Sequence, residues 1–163
     1  KKESKNRKIE IAKKIQKICV KNDVKFIIND DPYLALKLRA DGCHLGQKDV
    51  DIKIAKKILK NKIIGITCHN SILLAKKAFI NGASYVAIGA FNKSNTKKII
   101  HNANIETLKK IKKSVNLPIV AIGGINENNY KKLLLNKADF LAISGYIWNN
   151  KKNKPHQAVM SLK

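Results

Sequence analysis

Apolar residues along this chain alternate between two rhythms. Short, continuous apolar runs occupy 25–30 (KFIIND), 42–46 (GCHLG), 63–67 (IIGIT), 85–89 (YVAIG), 118–123 (PIVAIG) and 139–144 (DFLAIS). Runs of this length, β-branched and apolar on both faces, predict buried parallel strands rather than half-exposed antiparallel ones. Between them the apolar positions recur every three to four residues, the period of a helix. In 8–20, Ile11, Ile15, Ile18 and Cys19 share a face opposite the lysines. Ile54, Ala55, Ile58 and Leu59 do the same in 51–60, and Ile105, Leu108, Ile111 and Val115 in 105–115. Segments 71–80 and 127–136 also read as helices. Asp31 before Pro32 predicts an N-cap with proline in the first turn, and Asp51, Asn70 and Asn126 are further cap candidates.

Strands begin at 25, 42, 63, 85, 118 and 139, so most repeats are 17–22 residues and one is 33. The long step holds the loop 91–104, FNKSNTKKIIHNAN. Loops of that length inside compact domains are usually functional or disordered. Strict alternation of strand and helix predicts one parallel α/β domain over 1–163, either a βα barrel or an open doubly wound sheet.

Length and composition narrow the class. The 163 residues suit one domain. No run of about 18 apolar residues is present, so no membrane span is expected, and no signal-like segment opens the chain. Cys19, Cys43 and Cys68 form no CxxC pair and read as buried free thiols, which makes a reducing cytoplasm the expected compartment. The formal charge of +23, from 34 Lys+Arg against 11 Asp+Glu, raises the question of a nucleic-acid partner. The lysines are spread over every helix, and there are only two arginines, Arg7 and Arg39. Bidentate base readout has little to work with, and no aromatics interleave with the basic residues to make a stacking platform. The charge reads as a solvated coat with a general attraction for anions.

In a parallel α/β protein the chemistry stands at the carboxyl ends of the strands. Those ends carry Asn29 and Asp30; Gln47 and Asp49; Thr67 and His69; Gly89, then Ser94, Thr96 and Lys97; Gly123 and Gly124; and Ser144 and Gly145. Asp30 and Asp49 follow consecutive strands and so share one rim. Two carboxylates with water and phosphate oxygens suit Mg²⁺, and the alternative is that each caps the following helix. Asp41 precedes its strand, on the opposite rim, and reads as structural. Gly123-Gly124 before Ile125-Asn126 resembles a phosphate-gripping turn with Ser144-Gly145 as its partner. His44 reads as a packed core residue, His69 as a loop histidine without a partner, and His101 and His156 as exposed. No Ser-His-Asp triad, nucleophile elbow or Walker loop is present.

With these residues assembled, the chain resembles the thiamine-phosphate synthase family of (β/α)8 TIM barrels. The likeness rests on FIINDDPYLALKLRADGCHLGQKD (26–49), with its Asp-Gly-x-His-Leu-Gly-Gln-x-Asp block, and on IIGITCHNSILLAKKAFINGASYVAIGAF (63–91), PIVAIGGIN (118–126) and LAISG (141–145). SNTKK (94–98) sits where that family has a Thr-Pro-Thr-Lys loop. The resemblance implies a transferase joining a hydroxymethylpyrimidine diphosphate to a thiazole phosphate, giving thiamine phosphate and pyrophosphate. It implies that Asp30 and Asp49 hold Mg²⁺. Asn29, Thr67 and Lys97 would contact the pyrimidine diphosphate, with Lys97 and Thr67 in catalytic roles. Ser94, Asn95, Thr96, Gly124, Ile143 and Ser144 would bind the thiazole phosphate. The family's Gln-x-Arg-x-Lys segment is missing apart from its final lysine as Lys1, and six strands stand where eight are expected. The reading is therefore a barrel lacking its first strand–helix–strand segment, acting on small phosphate and pyrophosphate substrates, without nucleic acid or membrane. A thiazole tautomerase or another phosphate-binding barrel isomerase is the alternative enzyme; Ala90 after Gly89, where the tautomerase has a histidine, weighs against the first. A non-catalytic basic nucleic-acid-binding protein is the alternative from another class.

Overall fold

The computed structural model describes residues 3–92 and 101–162. Lys1, Ser94, Asn95, Thr96 and Lys97 lie outside the described residues. The chain falls into two compact units, Lys1–Ile66 and Thr67–Lys163.

The first unit runs α1 (Lys5–Lys21), β1 (Ile27–Asn29), α2 (Pro32–Lys37), β2 (Gly42–Leu45), α3 (Ile52–Leu59) and the start of β3 (Ile63–His69). β1, β2 and β3 pair in parallel, with Ile28 opposite Cys43 and Cys43 opposite Ile64. Phe26, Ile28, Cys43, Leu45, Ile64 and Ile66 are buried, as are Ala35, Leu38, Ile52, Ala55 and Leu59 from the helices. Asp31 caps α2, its Oδ1 accepting the Leu34 N–H at 2.9 Å, with Pro32 in the first turn. Asp51 caps α3 through the Lys53 N–H at 2.8 Å. Both caps were legible in the sequence.

The second unit holds the end of β3, α4 (Ile72–Ile80), β4 (Tyr85–Gly89), α5 (Ile105–Ser114), β5 (Ile119–Ile122), α6 (Tyr130–Leu135), β6 (Phe140–Ala142), α7 (Gly145–Trp148) and α8 (Pro155–Met160). β4, β5 and β6 are again parallel, with Ile88 opposite Ala121 and Ala121 opposite Leu141. Val86, Ile88, Leu108, Ile111, Ile119 and Ala121 are buried. The expected α/β architecture of parallel strands joined by helices is present in both units.

Four expectations are corrected in detail. Ser71, not Asn70, caps α4, with its Oγ accepting the Leu74 N–H. Asn126 closes a turn before α6 instead of capping it, its Oδ1 accepting the Asn128 N–H at 2.9 Å. Ile15, Ile18 and Ile54 are 46%, 63% and 48% exposed, while Ala12 and Ile52 are buried. Periodicity identifies an apolar face but not whether anything covers it. β5 and β6 are not buried on both faces: Ile119 and Ala121 point inward, whereas Ile122 and Phe140 remain 41% and 60% exposed.

One helix ending recurs. After α1, α2, α4 and α6 the chain enters the left-handed region at Asp23 (φ +52°), Arg39 (+52°), Gly82 (+77°) and Lys137 (+77°). The next N–H reaches back five residues: Val24 to Cys19 O, Ala40 to Ala35 O, Ala83 to Ala78 O and Ala138 to Leu133 O, all at 2.9–3.1 Å. This is the Schellman arrangement, which satisfies the orphan carbonyls of a helix end and turns the chain back toward the sheet.

The entry to a strand is also built twice in the same way. Asp41 Oδ2 accepts the Phe26 N–H at 2.9 Å, and Asp139 Oδ2 accepts the Ile119 N–H at 2.7 Å. In each case the aspartate N–H donates back to the same residue's carbonyl, at 3.0 and 2.9 Å. Each carboxylate thus pins its own strand to the preceding one at the amino-terminal rim. The structural reading of Asp41 agrees with this geometry.

Candidate functional site

In the first unit, the carboxyl ends of β1 and β2 bring Asn29, Asp30, Gln47 and Asp49 to one rim. Asn29 is exposed, and Asp30 and Asp49 are half-buried. Asp30 takes a left-handed conformation (φ +69°), tied by its N–H to His44 O at 2.8 Å. Aspartate tolerates this region better than most residues, and positions held there concentrate at functional sites. Asp49 Oδ2 accepts the Gly46 N–H at 2.7 Å, which fixes that side chain in the turn after β2. Capping of α2 and α3 falls to Asp31 and Asp51, so neither Asp30 nor Asp49 serves the helix that follows it.

The buried Cys43 thiol lies beneath this rim. Burial first, then the charges of Asp31, Asp30 and Asp49, push it up to about 12. One sulfur therefore lies within electrostatic reach of both candidate ligands. Among the described residues, no three His, Cys, Asp or Glu side chains gather as a ready-made metal cage. The donor set is instead two hard carboxylates, which fits a hard divalent cation that keeps water and takes phosphate oxygens for its other positions. His44, opposite Asn29 in the sheet, is half-buried within β2.

The second unit contributes Thr67, Gly124, Ile143 and Ser144. Thr67 is half-buried in β3. Gly123 (φ +103°) and Gly124 (φ +61°) follow β5, and a side chain on Gly123 would collide with Ala90. Only glycine allows both that approach and those angles. The phosphate-gripping reading needs one correction. The Asn126 N–H donates to Asn129 Oδ1 at 2.9 Å, and Asn129 Nδ2 donates to Gly124 O at 3.0 Å. Asn126 and Asn128 therefore spend their N–H groups inside the turn. Ile143 is half-buried, and the exposed Ser144 precedes α7 without a capping bond from its side chain.

Two arrangements escaped sequence reading. His69 has a partner: its ring lies 4.3 Å from that of His101, centroid to centroid, with the planes at 32°. The two are 32 residues apart and nothing local signals their meeting. Tyr146 donates to Glu127 and lies 2.7 Å from the Ser161 hydroxyl, joining α7 to the turn before α6 and to the end of α8.

A cavity of about 630 Å³ in the first unit is lined by Leu36, Arg39, Ala40, Leu59, Lys60 and Lys62, among others. These residues lie at the carboxyl ends of α2 and α3, hence at the amino-terminal rim of the strands, away from Asp30 and Asp49. Among the described residues, no helix is long and apolar enough to cross a membrane.

Comparison with known proteins is consistent across sequence and structure. Residues 1–147 match the profile of thiamine monophosphate synthase. The chain is 66% identical over 163 residues to a thiamine-phosphate synthase of Pelagibacter ubique, covering 100% of this chain and 79% of that protein. It is 42% identical over 151 residues to that of Erythrobacter litoralis, covering 91% of this chain and 71% of that protein. A solved thiamine phosphate pyrophosphorylase from Pyrococcus furiosus superimposes with a TM-score of 0.87 at 32% identity, over 99% of this chain and 77% of that one. A 3-hexulose-6-phosphate synthase shares the fold, with a TM-score of 0.72 at 16% identity. The chain belongs to the thiamine monophosphate synthase family, transferases of thiamine biosynthesis.

Proposed function

We propose that this protein, read as a single partial βα-barrel domain over 1–163, joins a hydroxymethylpyrimidine diphosphate to a thiazole phosphate, releasing pyrophosphate. The bond from the pyrimidine methylene carbon to the diphosphate oxygen breaks, and its electron pair leaves with the diphosphate. The thiazole ring nitrogen supplies the pair for the new carbon–nitrogen bond. The electron-rich aminopyrimidine carries the developing positive charge, so the site needs positioning and electrostatics more than an acid–base pair.

The observation that carries this reading is the pair Asp30 and Asp49, held on one rim by the turns after β1 and β2 and relieved of capping duty. These residues would hold Mg²⁺, which supplies charge neutralisation for the leaving diphosphate. Asn29 at the end of β1 and Thr67 in β3 would orient the pyrimidine diphosphate. Lys97 would neutralise the diphosphate from the loop, and Lys1 would add to that charge. Gly124, Ile143 and Ser144, with Ser94, Asn95 and Thr96, would bind the thiazole phosphate: the backbone N–H groups of Gly124 and Ile125 and the Ser144 hydroxyl are donors suited to a phosphate. The partners in this reading are small phosphate and pyrophosphate substrates in the cytoplasm. The free thiols Cys19, Cys43 and Cys68 are in keeping with that compartment.

The test is pyrophosphate release measured with each substrate alone and with both together, with and without Mg²⁺. Release only with both substrates and Mg²⁺ is expected. Release from the diphosphate alone at the same rate would overturn the transfer reaction.

A further inference from the structure

The cavity at the carboxyl ends of α2 and α3 has no part in the proposed reaction. Its volume of about 630 Å³ is that of a small-molecule site. Two kinds of residue line it. Ala35, Ala40 and Leu59 are buried, and the 53% exposed Leu36 adds to the apolar part. Arg39, Lys60 and Lys62 supply three cations, and the lining holds no carboxylate. The acid closest to Arg39 in sequence, Asp41, is engaged elsewhere, by the Phe26 N–H at 2.9 Å and the Lys25 ammonium at 3.6 Å. Among the described residues, none of the three lining cations forms an ion pair.

The backbone at Lys60 sets this place apart from the other lysine-rich helix ends. Lys60 lies at φ +51° and ψ −111°, and the Lys62 N–H donates to Leu59 O at 3.1 Å. This is a tight turn whose first central residue stands where glycine is preferred. A lysine there bears a conformational cost, and such costs gather where a side chain is used. The two helix ends bordering the cavity each carry roughly half a negative charge, which disfavours an anion. Their carbonyls are already occupied: Ala35 O by the Ala40 N–H at 2.9 Å and Lys56 O by the Lys60 N–H at 2.8 Å. Three full positive charges outweigh what remains.

We propose that this cavity is a second ligand site, for an organic diphosphate with an apolar or aromatic body. The body lies against the apolar lining, and the diphosphate meets Arg39, Lys60 and Lys62. Three cations suit a polyanion better than a single carboxylate, and a guanidinium with two ammonium groups is a donor set fitted to phosphate oxygens. A bare inorganic anion would leave the apolar lining unused. The site touches the entries to two strands. Arg39 and Ala40 lead through Asp41 into β2, Lys62 precedes β3, and the Ile63 N–H donates to Asp41 O at 3.0 Å. Occupancy therefore ties the α2–β2 and α3–β3 connections together and stabilises the fold by linkage. The inference is independent of the proposed function, and Asp30 and Asp49 take no part in it.

The experiment titrates ADP into the protein by calorimetry, with chelator present and Mg²⁺ absent, beside adenosine alone and pyrophosphate alone. Melting is followed with and without ADP. ADP should bind and raise Tm, and each half alone should bind at least about tenfold more weakly. Arg39→Gln and Lys62→Gln should each weaken ADP by about tenfold. Lys60→Gly separates binding from folding, because it should weaken ADP similarly while melting at or above the wild-type temperature. Pyrophosphate binding as tightly as ADP would overturn the role of the apolar lining, and adenosine doing so would overturn that of the cations. ADP binding that needs Mg²⁺, or that all three variants leave unchanged, would place the ligand elsewhere and overturn the site. No binding at millimolar ADP would overturn it outright.

Discussion

Lys137→Gly tests the helix endings most directly. Lys137 sits at φ +77°, the angle of Gly82 at the corresponding position after α4. A residue with a Cβ pays about 1–2 kcal/mol in this conformation relative to glycine. Glycine's greater freedom in the unfolded chain takes back about 0.5–1 kcal/mol. The Lys137 side chain is exposed, so little packing is lost. The net expectation is a stabilisation of about 0.5–1 kcal/mol. For a chain of this size, about 1 kcal/mol moves Tm by about 2–4 °C, so Lys137→Gly should melt about 1–4 °C higher. Gly82→Ala is the mirror experiment and should melt lower by a similar amount, because alanine inherits the strain that lysine now bears. Thermal unfolding followed by far-ultraviolet circular dichroism, at one pH and one protein concentration, reads both. A Lys137→Gly variant that melts below wild type, or a Gly82→Ala variant that melts at or above it, would refute the reasoning.

Asp30→Asn and Asp49→Asn should each lower Mg²⁺-dependent pyrophosphate release by about two orders of magnitude and leave the circular dichroism spectrum unchanged; unaltered turnover would sink the metal assignment. Asp41 is held below the usual carboxylate range mainly by the Phe26 N–H; burial pushes Asp139 up, but the Lys112 ammonium and the Ile119 N–H outweigh it. Both contribute stability that is present above the ordinary carboxylate value and lost as pH falls through the lowered one. Tm should therefore decline on acidification toward pH 3, and Asp41→Asn with Asp139→Asn should flatten that decline; a variant slope equal to wild type would contradict it. Cys43 and Cys68 are buried, with thiols pushed up to about 12, whereas Cys19 is half-buried. A thiol reagent at neutral pH should label Cys19 first in the native protein and all three after denaturation; equal native rates at Cys19 and Cys43 would be the wrong result.

What the sequence discloses depends on how local its cause is. The caps at Asp31 and Asp51 are legible because an aspartate before a helical run acts on backbone only two or three residues away. The strands are legible because a continuous β-branched run has few other uses in a chain that alternates so regularly. The helix endings at Asp23, Arg39 and Lys137 are hidden, since none of these residue types announces a left-handed turn as Gly82 does. Asp30 and Asp49 could be placed on one rim from strand order alone, but their release from capping needed the geometry of Asp31 and Asp51. The partner of His69 was out of reach, because a ring contact across 32 residues leaves no periodic trace. The exposed Ile15 and Ile18 mark the same boundary from the other side: the pattern names a face, and only the fold decides whether it is covered.

The paired aspartates at the amino-terminal rim bear on how the chain is made. Asp41 clamps Phe26 across 15 residues, and Asp139 clamps Ile119 across 20. Both closures need only one intervening helix to have emerged, and each strand of β1–β2–β3 pairs with the next one synthesised. Vectorial synthesis can therefore lock the register of one strand pair while the next is still in the ribosome, without waiting for distant partners. Loss of the carboxylate at 41 or 139 should then show most in refolding from denaturant, where all strands compete at once, and least in chains folding as they are translated.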